Sequence, residues 1–174
     1  MSSESIPFGP VQMLVLEFDR TRFEGEIAPE LERLKEAGII RLIDLLFVRK
    51  PRGGEIEIVQ RSDLNEDEAM EFGALVGSLV GLGTGDEDRV LSAAVAGAEE
   101  FADGHLFSDS EVWYLADAIP EGKSAAVALI EHRWAIPLRD KIIEAGGIPL
   151  ADEWVHPADL IAIGAAAAPA TSKA

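Results

Sequence analysis

Gly73, Gly77 and Gly81 recur at every fourth position of an otherwise apolar stretch, EFGALVGSLVGLGTG over residues 71–85. This row restricts what the chain can fold into more than any other feature. At helical spacing, three positions without side chains stack on one side, where a second backbone can come close. Each glycine costs a helix about 1 kcal/mol relative to alanine, so a helix that carries three must recover the loss through packing. The next apolar run repeats the device, with Ala93 and Gly97, and Ala94 and Ala98, four residues apart. The two runs predict either a tightly packed helical hairpin or interface helices that meet copies of themselves in another chain. Asn65 with Glu68 three residues later marks the hairpin's start as a capping box, and Gly83-Thr84-Gly85 marks its turn.

Around this insert (residues 62–107) the pattern is that of strands and amphipathic helices. Val11–Phe18 is apolar on both faces, which predicts a central strand covered above and below. A helix is expected over 26–37, with Pro29 in its first turn and Gly38 as its stop. A second strand is expected over 39–48. Arg41 and Asp44, three apart on it, should point to opposite faces, where charges blunt an exposed strand against unwanted pairing. Further elements are a strand over 55–61, a helix over 109–118 opened by Ser108 and Glu111, and a strand over 123–131. A helix over 136–145 and a short strand over 148–155 complete the set.

The expected fold class is α+β: a ferredoxin-like (split βαβ) mixed or antiparallel sheet with a glycine-rich helical-hairpin insert and a C-terminal helix-strand extension. The organisation is a flexible lead over residues 1–10, a single domain over 11–156 and an Ala-rich tail over 157–174. A ferredoxin-like sheet has helices on one side only, yet three of these strands are apolar on both faces. The hairpin, the tail or another copy of the protein has to cover the second face.

Composition narrows the function classes. The formal charge of −17, from 32 acidic and 15 basic residues, repels nucleic acid and anionic membrane surfaces, so neither is an expected partner. Cysteine is absent, which excludes disulfides and thiolate chemistry. The start, MSSESIPFGP, has neither a basic nor an apolar leader region, and the run Phe72–Gly85 is shorter than the roughly 20 residues that span a membrane. A cytoplasmic location is expected.

Motifs with chemistry fail on context. Pro120-Glu121-Gly122-Lys123-Ser124 looks like the tail of a phosphate-binding loop, but Asp117 stands where the first glycine belongs and Lys123-Ser124 opens a strand rather than a helix. Gly81-Leu82-Gly83-Thr84-Gly85-Asp86 lacks the final glycine of a dinucleotide loop. His105, His132 and His156 include no pair at metal-ligand spacing, so neither metal nor cofactor is expected. His132, at a strand end beside Arg133 and Trp134, is the one candidate for acid–base work in a cleft, with Arg133 and Trp134 as candidate ligand contacts.

Gly9-Pro10-Val11-Gln12 leading into an apolar strand, the Pro-Glu-Leu-Glu-Arg-Leu helix at 29–34 and the Ile-Asp-Leu-Leu-Phe-Val strand at 43–48 resemble an uncharacterised bacterial family best represented in actinobacteria. Residues 73–85 and 120–125 are similar to a more distant, glycine-rich stress-type family of unknown function whose members are often assigned to membranes. The resemblance implies the fold and a stress association, and it supplies no catalytic residue. Asp86, Glu87, Asp88, Glu99 and Glu100 on the second insert helix depart from the membrane-type relatives.

The leading expectation is a non-enzymatic, stress-related cytoplasmic protein that forms homo-oligomers. Its apolar sheet face and the small residues Gly73, Gly77, Gly81, Ala93 and Gly97 would supply the interface. The alternatives are a small-molecule-binding or catalytic protein with a site near His132, and peripheral membrane association through Phe72–Leu82.

Overall fold

The computed structural model describes residues 8–20, 25, 27–85, 87–105, 107, 109–148, 150 and 157–167. Its elements, in order, are β1 (Val11–Phe18), α1 (Ile27–Glu36), β2 (Ile40–Lys50), β3 (Glu57–Arg61), α2 (Glu66–Gly83) and α3 (Glu87–Glu100). These are followed by α4 (Asp109–Ala118), β4 (Lys123–His132), α5 (Ala135–Glu144) and α6 (Pro157–Ala167). Residues 1–140 form one compact unit and residues 141–174 a second. The strand expected over 148–155 falls mostly on residues 149 and 151–155, outside the described residues; Trp154 and His156 lie outside them as well.

The fold is α+β, with one open antiparallel sheet in the order β1-β4-β2-β3. The split plan is present, because β4 runs between β1 and β2, which α1 joins. The order itself differs from the ferredoxin-like arrangement expected for the chain, with its first strand in the centre. Here β2 and β4 are central, and β1 is an edge. Apolar residues on both faces of β1 do not mark burial on both faces: Met13 and Val15 are each 64% exposed.

One irregularity in β2 sorts its side chains. Leu42 pairs with Ile130 and Asp44 with Leu129, so Ile43 is an extra residue, a β-bulge. The bulge shifts the alternation by one. Ile40, Leu42, Leu45 and Phe47 thereby share one face, and Arg41, Asp44, Leu46 and Val48 share the other. Arg41 and Asp44 do not point to opposite sides, and β2 is no exposed edge that needs charges to guard it.

The face bearing Leu46 and Val48 is closed by helices. Val112 and Ala116 of α4, with Ile119, pack on Leu46, Val48 and Ala125. Ala69 and Phe72 of α2 pack with Ile43, Leu64 and Phe8, and Leu75, Phe101 and Leu129 join them. On the opposite face, Leu31 and Leu34 of α1 rest on Ile40, Leu42, Ala128 and Ile130. The sheet therefore has helices on both sides, and the glycine-row hairpin answers part of the question of what covers its second face.

The capping box forms as read: the Asn65 side chain accepts from the Glu68 N–H at 2.9 Å, and Glu68 accepts from the Asn65 N–H at 3.0 Å. In the hairpin, a Cβ built on Gly73 would lie 2.2 Å from the Gly97 carbonyl oxygen. One on Gly77 would lie 2.0 Å from that of Ala93, and one on Gly81 2.7 Å from Val90 Cα. The small residues bring α2 and α3 of one chain together.

The lead is fixed at its end. Phe8 is buried, the Gly9 N–H donates to Glu131 Oε1 at 2.7 Å, and His132 N–H donates to the Pro10 carbonyl at 2.8 Å. A Cβ on Gly9 would fall 2.6 Å from the His132 carbonyl oxygen, which is why a glycine stands there.

Candidate functional site

The two sheet faces differ in how far their helices reach. A four-stranded sheet is about 19 Å wide at the usual strand spacing, whereas one helix covers a strip about 10 Å wide. α1 packs on this face without a buried residue of its own. It leaves a groove along each flank. Toward β1 the groove holds about 320 Å³ and is walled by Leu14, Leu16, Phe18, Phe47, Ala126 and Ile130, with Ile27 and Leu31 of α1 above. Toward β3 it holds about 360 Å³, with Leu45, Phe47 and Val59 as floor and Glu32, Lys35, Arg61 and Asp63 along one wall.

β1 adds a second exposed surface. Val11, Met13 and Val15 alternate along its other side, beyond the reach of α2 and α4, and all three are exposed. In the described sheet β1 pairs with β4 and is an edge strand. Its single charge, Glu17, is tied to Lys123 at 2.5 Å, which also reaches Asp19 at 2.9 Å. These two carboxylates hold the Lys123 ammonium above the ordinary lysine value. β1 is thus an apolar edge strand of the described sheet, exposed on both faces, inside an acidic surface but locally neutralised.

The closed face carries the buried charge. Glu131, fully buried on β4, accepts from Arg41 Nε at 2.7 Å as well as from Gly9. Arg41 also reaches Glu68 at 3.2 Å, and its guanidinium lies 5.1 Å from the centre of the Phe8 ring. The group joins β2, β4, α2 and the lead. Asp44, also fully buried, accepts from its neighbour's Leu45 N–H at 2.9 Å and faces His105 Nδ1 at 3.3 Å. Burying a carboxylate is costly unless such partners meet it. Neither group opens into the grooves beside α1, and both read as fasteners of the helical insert to the sheet.

The residues singled out in the sequence fall as follows. His132 Nε2 lies 3.1 Å from Gln12 Oε1, and its ring meets Trp134 edge-on at 6.4 Å. Burial lowers its pKa below the ordinary histidine value. Arg133 and Trp134 are exposed, and none of the three lines either groove. Gly73, Gly77, Gly81, Ala93 and Gly97 lie in the α2–α3 contact of the chain itself. Within Phe72–Leu82, Phe72, Gly73 and Gly81 are buried, while Leu79, Val80 and Leu82 are exposed. Among the described residues no helix is long and apolar enough to cross a membrane, and no three acidic or histidine side chains gather as a metal site.

Sequence reasoning missed the Arg41–Glu131 pair and both grooves. The pair had a signal: Glu131 ends an otherwise apolar strand and Arg41 opens another, and a buried acid requires a cation opposite. The grooves had none, because they depend on which strand is the edge.

The architecture defines an α+β protein with a helical insert, an open antiparallel sheet and a half-covered face. The chain belongs to a family of unknown function (DUF6325), whose sequence profile matches residues 7–98, from the end of the lead through most of α3. No curated protein and no solved structure matches it.

Proposed function

We propose that this protein is non-enzymatic and self-associating, with β1 and the apolar groove beside it as the surface that meets a second copy. The observation that carries the reading is the contrast between the two sheet edges. β3, EIVQR, has charge at both ends, and its Glu57 is paired with Arg49. Such an edge resists pairing with another chain. β1, VQMLVLEF, has one charge, already neutralised by Lys123, and leaves Met13, Val15 and Leu16 exposed. An edge so unguarded is a template for another strand or apolar surface.

The overall charge of −17 opposes association at long range, so contact has to occur where that charge is absent. β1 is such a place. The glycine row supports the surface indirectly, by closing the hairpin over the other face. A stress-associated setting rests on the sequence resemblance alone, and a cytoplasmic one on the expectation drawn from the sequence.

Sedimentation equilibrium from about 1 to about 100 μM tests the reading, a range that covers ordinary specific affinities. The expected result is a dimer or larger species that Val15→Asp converts to monomer with thermal unfolding unchanged. A wild-type protein that stays monomeric throughout ends the proposal.

A further inference from the structure

The groove between α1 and β3 differs from its neighbour in having one polar wall, and the state of that wall points to a ligand. Asp63 accepts from the Leu42 N–H through Oδ2 at 2.8 Å and from Lys35 through Oδ1 at 2.7 Å. Lys35 also reaches Glu32 at 3.2 Å, and the Asp63 carboxylate holds its ammonium above the ordinary lysine value. The Ser62 hydroxyl donates to the Ile43 carbonyl at 2.7 Å and accepts from the Leu64 N–H at 3.1 Å. These groups satisfy one another.

Arg61 does not share in this. It pairs with Leu45 across the β2–β3 ladder, so its side chain belongs to the groove face. Among the described residues it has neither an ion pair nor a side-chain hydrogen bond. In a chain with 32 acidic residues and 15 basic ones, Arg61 stands without a carboxylate among the described residues and beside an apolar floor. The guanidinium presents a planar fork of donors that fits a carboxylate through two parallel hydrogen bonds. Next to it Leu45, Phe47 and Val59 form a floor that suits an apolar body, in a space at the lower end of ordinary ligand sites.

We infer that this groove binds a small organic carboxylate, its apolar body on Leu45, Phe47 and Val59 and its carboxylate on Arg61. The Glu32 and Asp63 charges do not bar the anion, because Lys35 already neutralises part of them and fixes Asp63 in place. The site shares Ala28, Leu31, Leu45 and Phe47 with the groove beside β1 and is set apart from it by Val59, Arg61 and Asp63.

Cinnamate is the probe, cinnamyl alcohol its uncharged counterpart, and amide chemical shifts are the readout. Cinnamate should move the amides of Val59, Arg61 and Asp63 in a saturable way. Arg61→Gln, at an exposed strand end, should weaken cinnamate roughly tenfold, the loss expected for a charge-assisted hydrogen bond, and change the alcohol less than about twofold. Val59→Trp, which fills the floor, should abolish both. Repeating the titration on the Val15→Asp protein reads ligand binding apart from assembly. Shifts confined to the groove beside β1, no saturable shift at all, or equal losses for acid and alcohol in Arg61→Gln would each overturn the assignment.

Discussion

The two faces of the sheet are made of the same strands and are finished to different degrees. On one, α2 and α4 bury Ile43, Leu46, Val48, Ala69 and Ala116 almost completely, and two buried carboxylates find cationic or backbone partners. On the other, a ten-residue helix without a buried side chain leaves a groove on each flank. The difference follows from dimension and connectivity more than from hydrophobicity. The insert between β3 and β4 supplies three helices to one side, whereas the crossover from β1 to β2 supplies one. Stability should reside on the first face where α2 and α4 cover it, and recognition on the second face and along β1, since surface left open is what a partner or ligand can use.

The harshest way to break that division is to open the hairpin. Gly77→Leu places a side chain where even a Cβ would meet the Ala93 carbonyl oxygen at 2.0 Å, and backbone cannot yield as a flexible side chain would. The expected loss is about 4 kcal/mol or more, read as collapse of the cooperative urea transition. A Gly77→Leu protein that unfolds like wild type would mean that α2 and α3 do not pack closely.

The next test removes one buried charge. Glu131→Ala leaves Arg41 and the Gly9 N–H without their acceptor and should cost about 3–5 kcal/mol. Replacing both partners with apolar residues of similar size, Arg41→Met with Glu131→Leu, should recover most of that. If the double variant is no better than the single one, the pair is not what ties the lead to the sheet.

Matched leucines then compare the faces directly. Leu46→Ala on the closed face should cost about 3 kcal/mol, whereas Leu31→Ala beneath α1 should cost about 1 kcal/mol, because its surroundings are already half open. Equal losses in equilibrium unfolding would erase the contrast between the faces.

Local rules recovered much of this architecture. Asn65 and Glu68 gave the start of α2, Gly38 the end of α1, and the glycine spacing gave the hairpin, because each depends on residues within a few positions of one another. What the sequence did not disclose depends on partners far along the chain. β1 looks central because both its faces are apolar, and only pairing with β4, more than a hundred residues on, shows it to be an edge. The extra residue at Ile43 leaves no local mark either, yet it decides that Arg41 and Asp44 share a side. The candidate site suffered most. His132 was singled out for its chemistry, while the grooves exist only because a helix is narrower than a sheet.

The smallest effect belongs to His132, which sits on the half-covered face at the end of β4 opposite Ile40. Burial lowers its folded pKa below the ordinary value of 6.5. Between those two values the unfolded chain binds more protons than the folded one, so stability falls as pH drops through 6.5 and levels off below the folded pKa. The paired carboxylates elsewhere add their own acid lability, so the informative quantity is the difference between wild type and His132→Asn. Urea midpoints measured across that interval should decline more steeply for wild type than for the variant, by an amount smaller than any of the substitutions above. Parallel declines would mean that His132 is as solvated in the folded chain as in the unfolded one, and that this end of the half-covered face is more open than the structure has it.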